Sequence, residues 1–245
     1  MLTIWGRLSS INVRKVVWAA LEVGAPFERT DAGGNFGVVQ TPAFLRLNPN
    51  ALVPVLQDSG TTLWESNVIV RYLAVRFPAR QLLPTDAAAR FEAEQWMDWQ
   101  QTTLNPAGRN AFVQWIRTPA EQRSTALVAQ SVAATEPLMA LLDRHLSQRP
   151  YLLGDNFTVA DIPVGCEAHR WFGLPQPRPD WPHLERWFAS LRARRQPRRA
   201  GPTPCMNRVP YNHDKPHFSP GRRLHRHPLP WQPGGRGARR QRPVG

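Results

Sequence analysis

The sequence predicts an α/β unit at residues 1–78, a linker at 79–86, an all-helical unit at 87–191 and a disordered basic tail at 192–245. Three observations carry this. Short runs rich in β-formers are confined to the first 78 residues. Past a linker bounded by Pro78 and Pro84, only helical periodicity is found. Finally, residues 1–191 hold 17 Lys and Arg against 17 Asp and Glu, whereas residues 192–245 hold 14 Lys and Arg against one acid, Asp214.

Residues 2–6, Leu-Thr-Ile-Trp-Gly, alternate and read as a strand. Residues 7–10 form a loop. Val13, Val16, Val17, Ala20 and Leu21 then recur at helical spacing until Gly24 stops the run. Residues 27–30 read as a second strand, and Gly33-Gly-Asn-Phe-Gly37 as a flexible turn. Phe44 and Leu47 lie on a short helix ending before Pro49. An apolar strand opens at Pro54, Ser59-Gly60 turns the chain into another, and an amphipathic helix covers about 65–77. The order βαβ then ββα is that of a thioredoxin-like sandwich.

Residues 87–117 and 120–147 read as two long helices, with Thr118 as the N-cap of the second and Pro119 in its first turn. Thr158-x-x-Asp161 ahead of an apolar run is a capping box, with Phe157 and Ile162 as its hydrophobic staple. A last helix at 181–191 puts Leu184, Trp187, Phe188 and Leu191 on one face. After Arg192 come ten prolines and six glycines with scattered Arg and His, and no helical or strand period. Such a segment buries too little apolar surface to offset its ordering entropy, so disorder is expected. A basic tail can neutralise nucleic-acid phosphates. However, the abrupt loss of pattern near Arg194, with 29 Arg to two Lys over the chain, reads instead as a frame change in a GC-rich gene. Nucleic acid is therefore not an expected partner.

The most informative stretch is 50–66. Pro lacks an N–H and fits the first residue of a strand. After a tight turn, Pro54 is a candidate cis peptide. That geometry would turn the N–H and C=O of Val53 outward to pair with an extended, peptide-like ligand. Glu65 and Ser66 open a helix, where free N–H groups and the dipole favour an anion. Together they describe a site for the backbone and carboxylate of a small peptide. The combined pattern Phe44-Leu-x-Leu-Asn-Pro-Asn-x-x-Val-Pro54-Val-Leu and Leu63-Trp-Glu65-Ser66-x-x-Ile-x-Arg71-Tyr-Leu resembles the soluble glutathione transferases, here the bacterial theta/zeta-like serine type, over roughly residues 2–191. The Thr158–Asp161 segment resembles the signature of that family's helical domain.

The resemblance implies glutathione as co-substrate, with Val53, Pro54, Glu65 and Ser66 binding it, and a homodimer as the assembly. A thiol with the usual cysteine pKa of about 8.5 is mostly protonated at pH 7, and only the thiolate attacks well. A hydroxyl at a helix N-terminus can favour the thiolate. Serine-type members carry it four or five residues before an Arg, which gives Ser10 and Ser9 counted back from Arg14; Asn12 is a further candidate donor. No Tyr precedes Tyr72 and no Cys precedes Cys166, so the tyrosine- and cysteine-type mechanisms are not expected. Many members place Lys two residues before the cis-Pro, to meet the glycine carboxylate. Here that residue is Leu52, with Gln40, Thr41 and Asn50 as candidate substitutes. Arg71 is expected in a structural ion pair. A second substrate, a small apolar electrophile, would meet Asn105 and Arg109, whereas the Trp96, Trp99 and Trp115 series reads as core.

Two cysteines, Cys166 and Cys205, make no disulfide framework and fit a reducing compartment. The N-terminus lacks a leader pattern and no apolar run reaches 18 residues, so a cytoplasmic protein off the membrane is expected. His145, His169 and His183 have no metal spacing, and no metal is implied. A rival expectation is a non-catalytic binding protein on the same fold, or an inactive product with an altered C-terminus.

Overall fold

The computed structural model describes residues 1–194. The first unit runs β1 (Leu2–Trp5), α1 (Ile11–Glu22), β2 (Phe27–Thr30), α2 (Pro42–Leu45), β3 (Val55–Asp58), β4 (Thr61–Trp64) and α3 (Ser66–Arg76). The sheet order is β2-β1-β3-β4, with β1 parallel to β2 and antiparallel to β3, and β4 antiparallel to β3. This is the mixed sheet expected of a thioredoxin-like unit. Strand alternation sorts the two faces. Leu2, Ile4 and Leu56 enter the main core with α1 and α3, while Val55 joins Phe44 of α2 and Ala32 in a small second cluster. Trp5 meets Phe44 edge to face at 6.1 Å and donates its indole N–H to Gln57 Oε1 at 2.8 Å.

The helical unit comprises α4 (Ala87–Trp99), α5 (Asn105–Phe112), α6 (Thr125–His145), α7 (Asp161–Phe172) and α8 (Pro182–Ala193). Two π-type turns, Gln100–Leu104 and Val113–Arg117, continue α4 and α5 into the one long segment that was expected at 87–117. The following helix does not begin at 120. Thr118 is extended, and Ser124 is the N-cap of α6, its hydroxyl accepting from Leu127 N–H. The guanidinium of Arg123 donates to the carbonyls of Thr118 and Trp115, and only a single 3-10 turn, Ala120–Gln122, forms before the chain turns extended at Arg123. By length and composition α6 could cross a membrane. In the fold it packs along α5 and α8, and its buried residues are Ser131, Thr135, Met139 and Leu142.

Asp161 does more than close the expected box. Its carboxylate accepts from Thr158 N–H at 2.9 Å, Leu152 N–H at 3.1 Å and Trp187 Nε1 at 2.9 Å, tying α7 to α8 and to the preceding loop. Phe157 packs at a tilt against Trp18 of α1 and meets Tyr151 edge to face. The helical unit meets the first one along α1. A Cβ added at Gly165 of α7 would lie 2.8 Å from Leu191 and 3.0 Å from Trp18, so only glycine permits this helix crossing. The last helix continues two residues past the expected boundary at 191, and Arg194 pairs with Glu22 of α1 at 3.0 Å. The tail expected beyond it lies, from residue 195, outside the described residues.

Candidate active site

Sheet register brings four loops to one edge. Trp5 closes β1 opposite Thr30, the last residue of β2, and opposite Val55, the first of β3; Val55 in turn faces Trp64, the last of β4. The loops 6–10, 31–41, 52–54 and 65–66 therefore open side by side.

The Val53–Pro54 peptide is cis. The strand ladder begins only at Val55, and neither the N–H nor the C=O of Val53 makes a backbone hydrogen bond among the described residues. Buried Asn48 shapes the approach to it. Asn48 Nδ2 donates to Leu52 O at 2.9 Å, and its Oδ1 accepts from the N–H and Nδ2 of Asn50, each at 3.0 Å. Asn48 was missed as a site-building residue, although it stands inside the Asn-Pro-Asn motif that carries the resemblance. Asn50 is drawn into this turn. Thr41 caps α2, its hydroxyl accepting from Phe44 N–H at 3.3 Å and donating to Val38 O at 2.8 Å. Gln40 is exposed on the same loop, and Leu52 is 63 % exposed.

Ser10 takes the N-cap position of α1, with φ −84° and ψ 125°, yet its side chain makes no capping hydrogen bond. The hydroxyl is thus not spent on its own helix and stands at the positive end of the dipole. Ser9 precedes it, half-buried, and the Oδ1 of Asn12 is buried without a partner. Across the edge, Glu65 has φ 72°, a left-handed conformation that costs a non-glycine residue on the order of 1–3 kcal/mol. It presents an exposed carboxylate that forms no ion pair among the described residues, directly before α3. Ser66 behind it is buried.

The sequence marks Arg7 only as a loop residue. Its guanidinium lies over Gly33 and Gly34, where an added Cβ would come within 2.9 Å of it, and the added Cβ at Gly33 would also lie 3.4 Å from Val53. No carboxylate pairs with Arg7 among the described residues. Gly33 and Gly34 have φ of 76° and 59°, which suits glycine and clears the space Arg7 fills. The available signal is the departure at Leu52, for which the sequence reading considers only Gln40, Thr41 and Asn50.

Beneath the edge lies a polar layer between the two units. Buried Lys15 donates to Gln101 Oε1 at 2.9 Å and lies 3.5 Å from Ser66 Oγ. Burial pushes its ammonium down to about 8, against the opposing pull of the Glu167 carboxylate. Asn67 Nδ2 donates to Met97 O at 2.7 Å. Gln100 and Arg170 both donate to Glu167, at 2.8 Å each, and Arg170 also donates to Asn105 Oδ1 at 2.9 Å. Asn105, expected on a second-substrate wall, is therefore held in this internal network. Arg109 is exposed and makes no ion pair among the described residues. Arg71 pairs with Asp98 at 2.7 Å and Glu94 at 3.6 Å, as expected for a structural ion pair. Trp96 is buried against Trp99 and His145, in keeping with a core role. Among the described residues, no group of three or more His, Cys, Asp or Glu side chains could hold a metal ion.

Comparison with known proteins agrees with this architecture. Residues 1–75 match the glutathione S-transferase N-terminal domain, and residues 125–190 match the glutathione S-transferase C-terminal domain. The chain is 40 % identical to glutathione S-transferase GstB of Escherichia coli K12, covering 79 % of this chain and 94 % of that protein. Among solved structures, the theta class glutathione S-transferase of Xanthomonas axonopodis pv. citri with glutathione bound is 42 % identical over 84 % of this chain and 95 % of that one, at a TM-score of 0.77. A Burkholderia graminis glutathione transferase, with two glutathione molecules bound per subunit, is 26 % identical over 84 % of this chain and 85 % of that one, at a TM-score of 0.70. The chain belongs to the glutathione S-transferase family.

Proposed function

We propose that the protein conjugates glutathione to a small apolar electrophile, with Ser10 donating its hydroxyl to the thiolate. The observation that carries this reading is the Ser10 hydroxyl, left out of helix capping, on the same edge as the unpaired backbone of Val53. The cysteinyl backbone of glutathione pairs with Val53 beside Pro54. Its γ-glutamyl carboxylate takes Ser66 and the N–H groups opening α3, and its ammonium faces Glu65. Arg7, rather than Gln40 or Asn50, supplies the cation that Leu52 lacks. Phe36, 50 % exposed on the loop that Arg7 covers, offers apolar surface to the electrophile.

The chemistry is thiolate addition to, or substitution at, an electrophilic carbon. One hydroxyl bond to the anion with the helix dipole lowers the thiol pKa by about one to two units, at about 1.4 kcal/mol each. The reading expects a reducing, cytoplasmic setting. It also expects a homodimer that covers Trp64, Val68, Val75 and Phe91, apolar side chains of β4, α3 and α4 left 40 to 69 % exposed by the single chain. The basic tail takes no part in the reaction.

The test is Ser10→Ala against an activated aryl chloride with glutathione. A transferase loses kcat/KM by about 10- to 100-fold at pH 7, with little loss of glutathione affinity. Glutathione binding with no turnover in the parent chain identifies a non-catalytic binder instead.

A further inference from the structure

The only lysine among the described residues is Lys15, in a chain whose other cations are arginines but for Lys215. It is fully buried on α1. Its Nζ reaches Gln101 Oε1 and Ser66 Oγ, and no carboxylate lies within ion-pair distance of it among the described residues. The charged and titratable groups that face it are Glu167, Cys166 and Arg170 from α7, and Glu65 ahead of α3. Glu167 is already engaged, accepting from Arg170 on one oxygen and Gln100 on the other. Glu65 points to solvent. An internal cation held this way lacks a partner anion, and a buried charge without one is costly.

Ser66 stands between that cation and the surface. A serine hydroxyl accepts and donates at once. With an ammonium N–H on its lone pair, its own proton is left for an acceptor on the open side, at the start of α3. We propose that Lys15 is the internal counter-cation of the glutathione γ-glutamyl carboxylate, acting through Ser66 as a positioning residue. This rests on the glutathione reading above. The 3.5 Å contact is long for a hydrogen bond and tightens when the carboxylate draws on the hydroxyl.

The protonation of Lys15 then becomes linked to binding. Burial leaves the free protein with an ammonium that titrates at about 8, so near pH 8 about half of the molecules carry the proton. An anion at Ser66 favours the charged form and draws the proton on.

The experiment is calorimetric titration of the full chain with S-methylglutathione, whose thiol is blocked, at pH 8 in buffers of different ionisation enthalpy. Proton uptake approaching about half a proton per ligand is expected beyond the share of the ligand's own α-amine, which also titrates in this range. Lys15→Met lowers the uptake to the ligand amine's own share and weakens binding about tenfold at pH 7, the order of one hydrogen bond to a charged group, with the deficit shrinking by pH 10. Lys15→Arg, which stays charged, binds with only the ligand amine's share of the uptake. Saturable binding by the parent chain with no uptake beyond that share overturns the proposal, as does uptake equal to the parent's in both variants. Absence of binding by the folded parent chain overturns the glutathione reading itself, and this inference with it. If both variants misfold, the parent chain decides: uptake beyond the ligand amine's own share must reach its maximum above pH 8 and vanish at pH 6.

Discussion

If Lys15 serves a ligand, the empty protein should be more stable without it. Burial lowers its pKa from 10.5 to about 8, so the folded state binds its proton less tightly than the unfolded chain does. At pH 7 both states are protonated, and holding the charge inside costs about 3 kcal/mol, from about 2.5 units at about 1.4 kcal/mol each. Lys15→Met removes that cost while filling a similar volume. It leaves Gln101 Oε1 without its donor, a loss on the order of 1–2 kcal/mol, softened because Gln101 is only half-buried. The net expectation at pH 7 is a gain of about 1–2 kcal/mol, a rise in Tm of a few degrees for a chain of this size. The sign with pH follows from the depressed base. Between the folded and unfolded pKa values the unfolded chain binds more protons, so the parent chain gains stability as pH rises from about 8 to 10.5, and the cost falls to about 1 kcal/mol by pH 10. The variant has nothing there to titrate, and its advantage disappears. Urea unfolding of both proteins, without glutathione, at pH 7 and pH 10 measures this. A variant less stable than its parent at pH 7, or a stability difference indifferent to pH, refutes the reasoning. Groups shared by the two chains cancel in the comparison.

Arg7→Gln should weaken glutathione about tenfold at low salt and less at high salt, read by calorimetry, while leaving thermal stability within about 0.5 kcal/mol, because Arg7 supports no ion pair among the described residues. Asp161→Asn should destabilise by about 2–4 kcal/mol in urea unfolding: each carboxylate oxygen accepts backbone or indole N–H groups, and an amide in either orientation turns its own NH₂ against some of them. Val75→Glu with Phe91→Glu should convert a dimer to a monomer in light scattering, since both side chains are exposed in the single chain and charge there opposes burial across an interface.

The parts of this fold that were legible in sequence are those with local punctuation. Pro54 announced the start of β3 and its cis bond, Gly24 ended α1 within two residues, and Thr158 with Asp161 fixed the start of α7. The start of α6 was misread for an instructive reason. Thr118-Pro119 is a sound local cap, but Ser124 offers another, and the long-range bonds of Arg123 to Trp115 O and Thr118 O decide between them. Asn105 is a similar case: its place on a helix is legible, while its partner Arg170 lies 65 residues away.

Lys15 shows the deeper limit. An amphipathic reading assumes a helix with one buried stripe and a solvated remainder. Helix α1 breaks that assumption, because it is packed by the sheet and α3 within its own unit and by α7 from the other, and ten of its twelve residues are buried, Arg14, Lys15 and Glu22 among them. A charged side chain on such a helix has no water to reach, and the sequence around it, Val13 to Ala20, gives no local hint of what will face it. What faces Lys15 comes from α3, the π-type turn after α4, and α7. The same packing that hides the residue also gives it reach: a cation there bears at once on the start of α3, where the proposal places the γ-glutamyl carboxylate, and on the seam between the two units. On the proposal made above, the residue with least local explanation is therefore the one that links the stability of the fold to its binding chemistry.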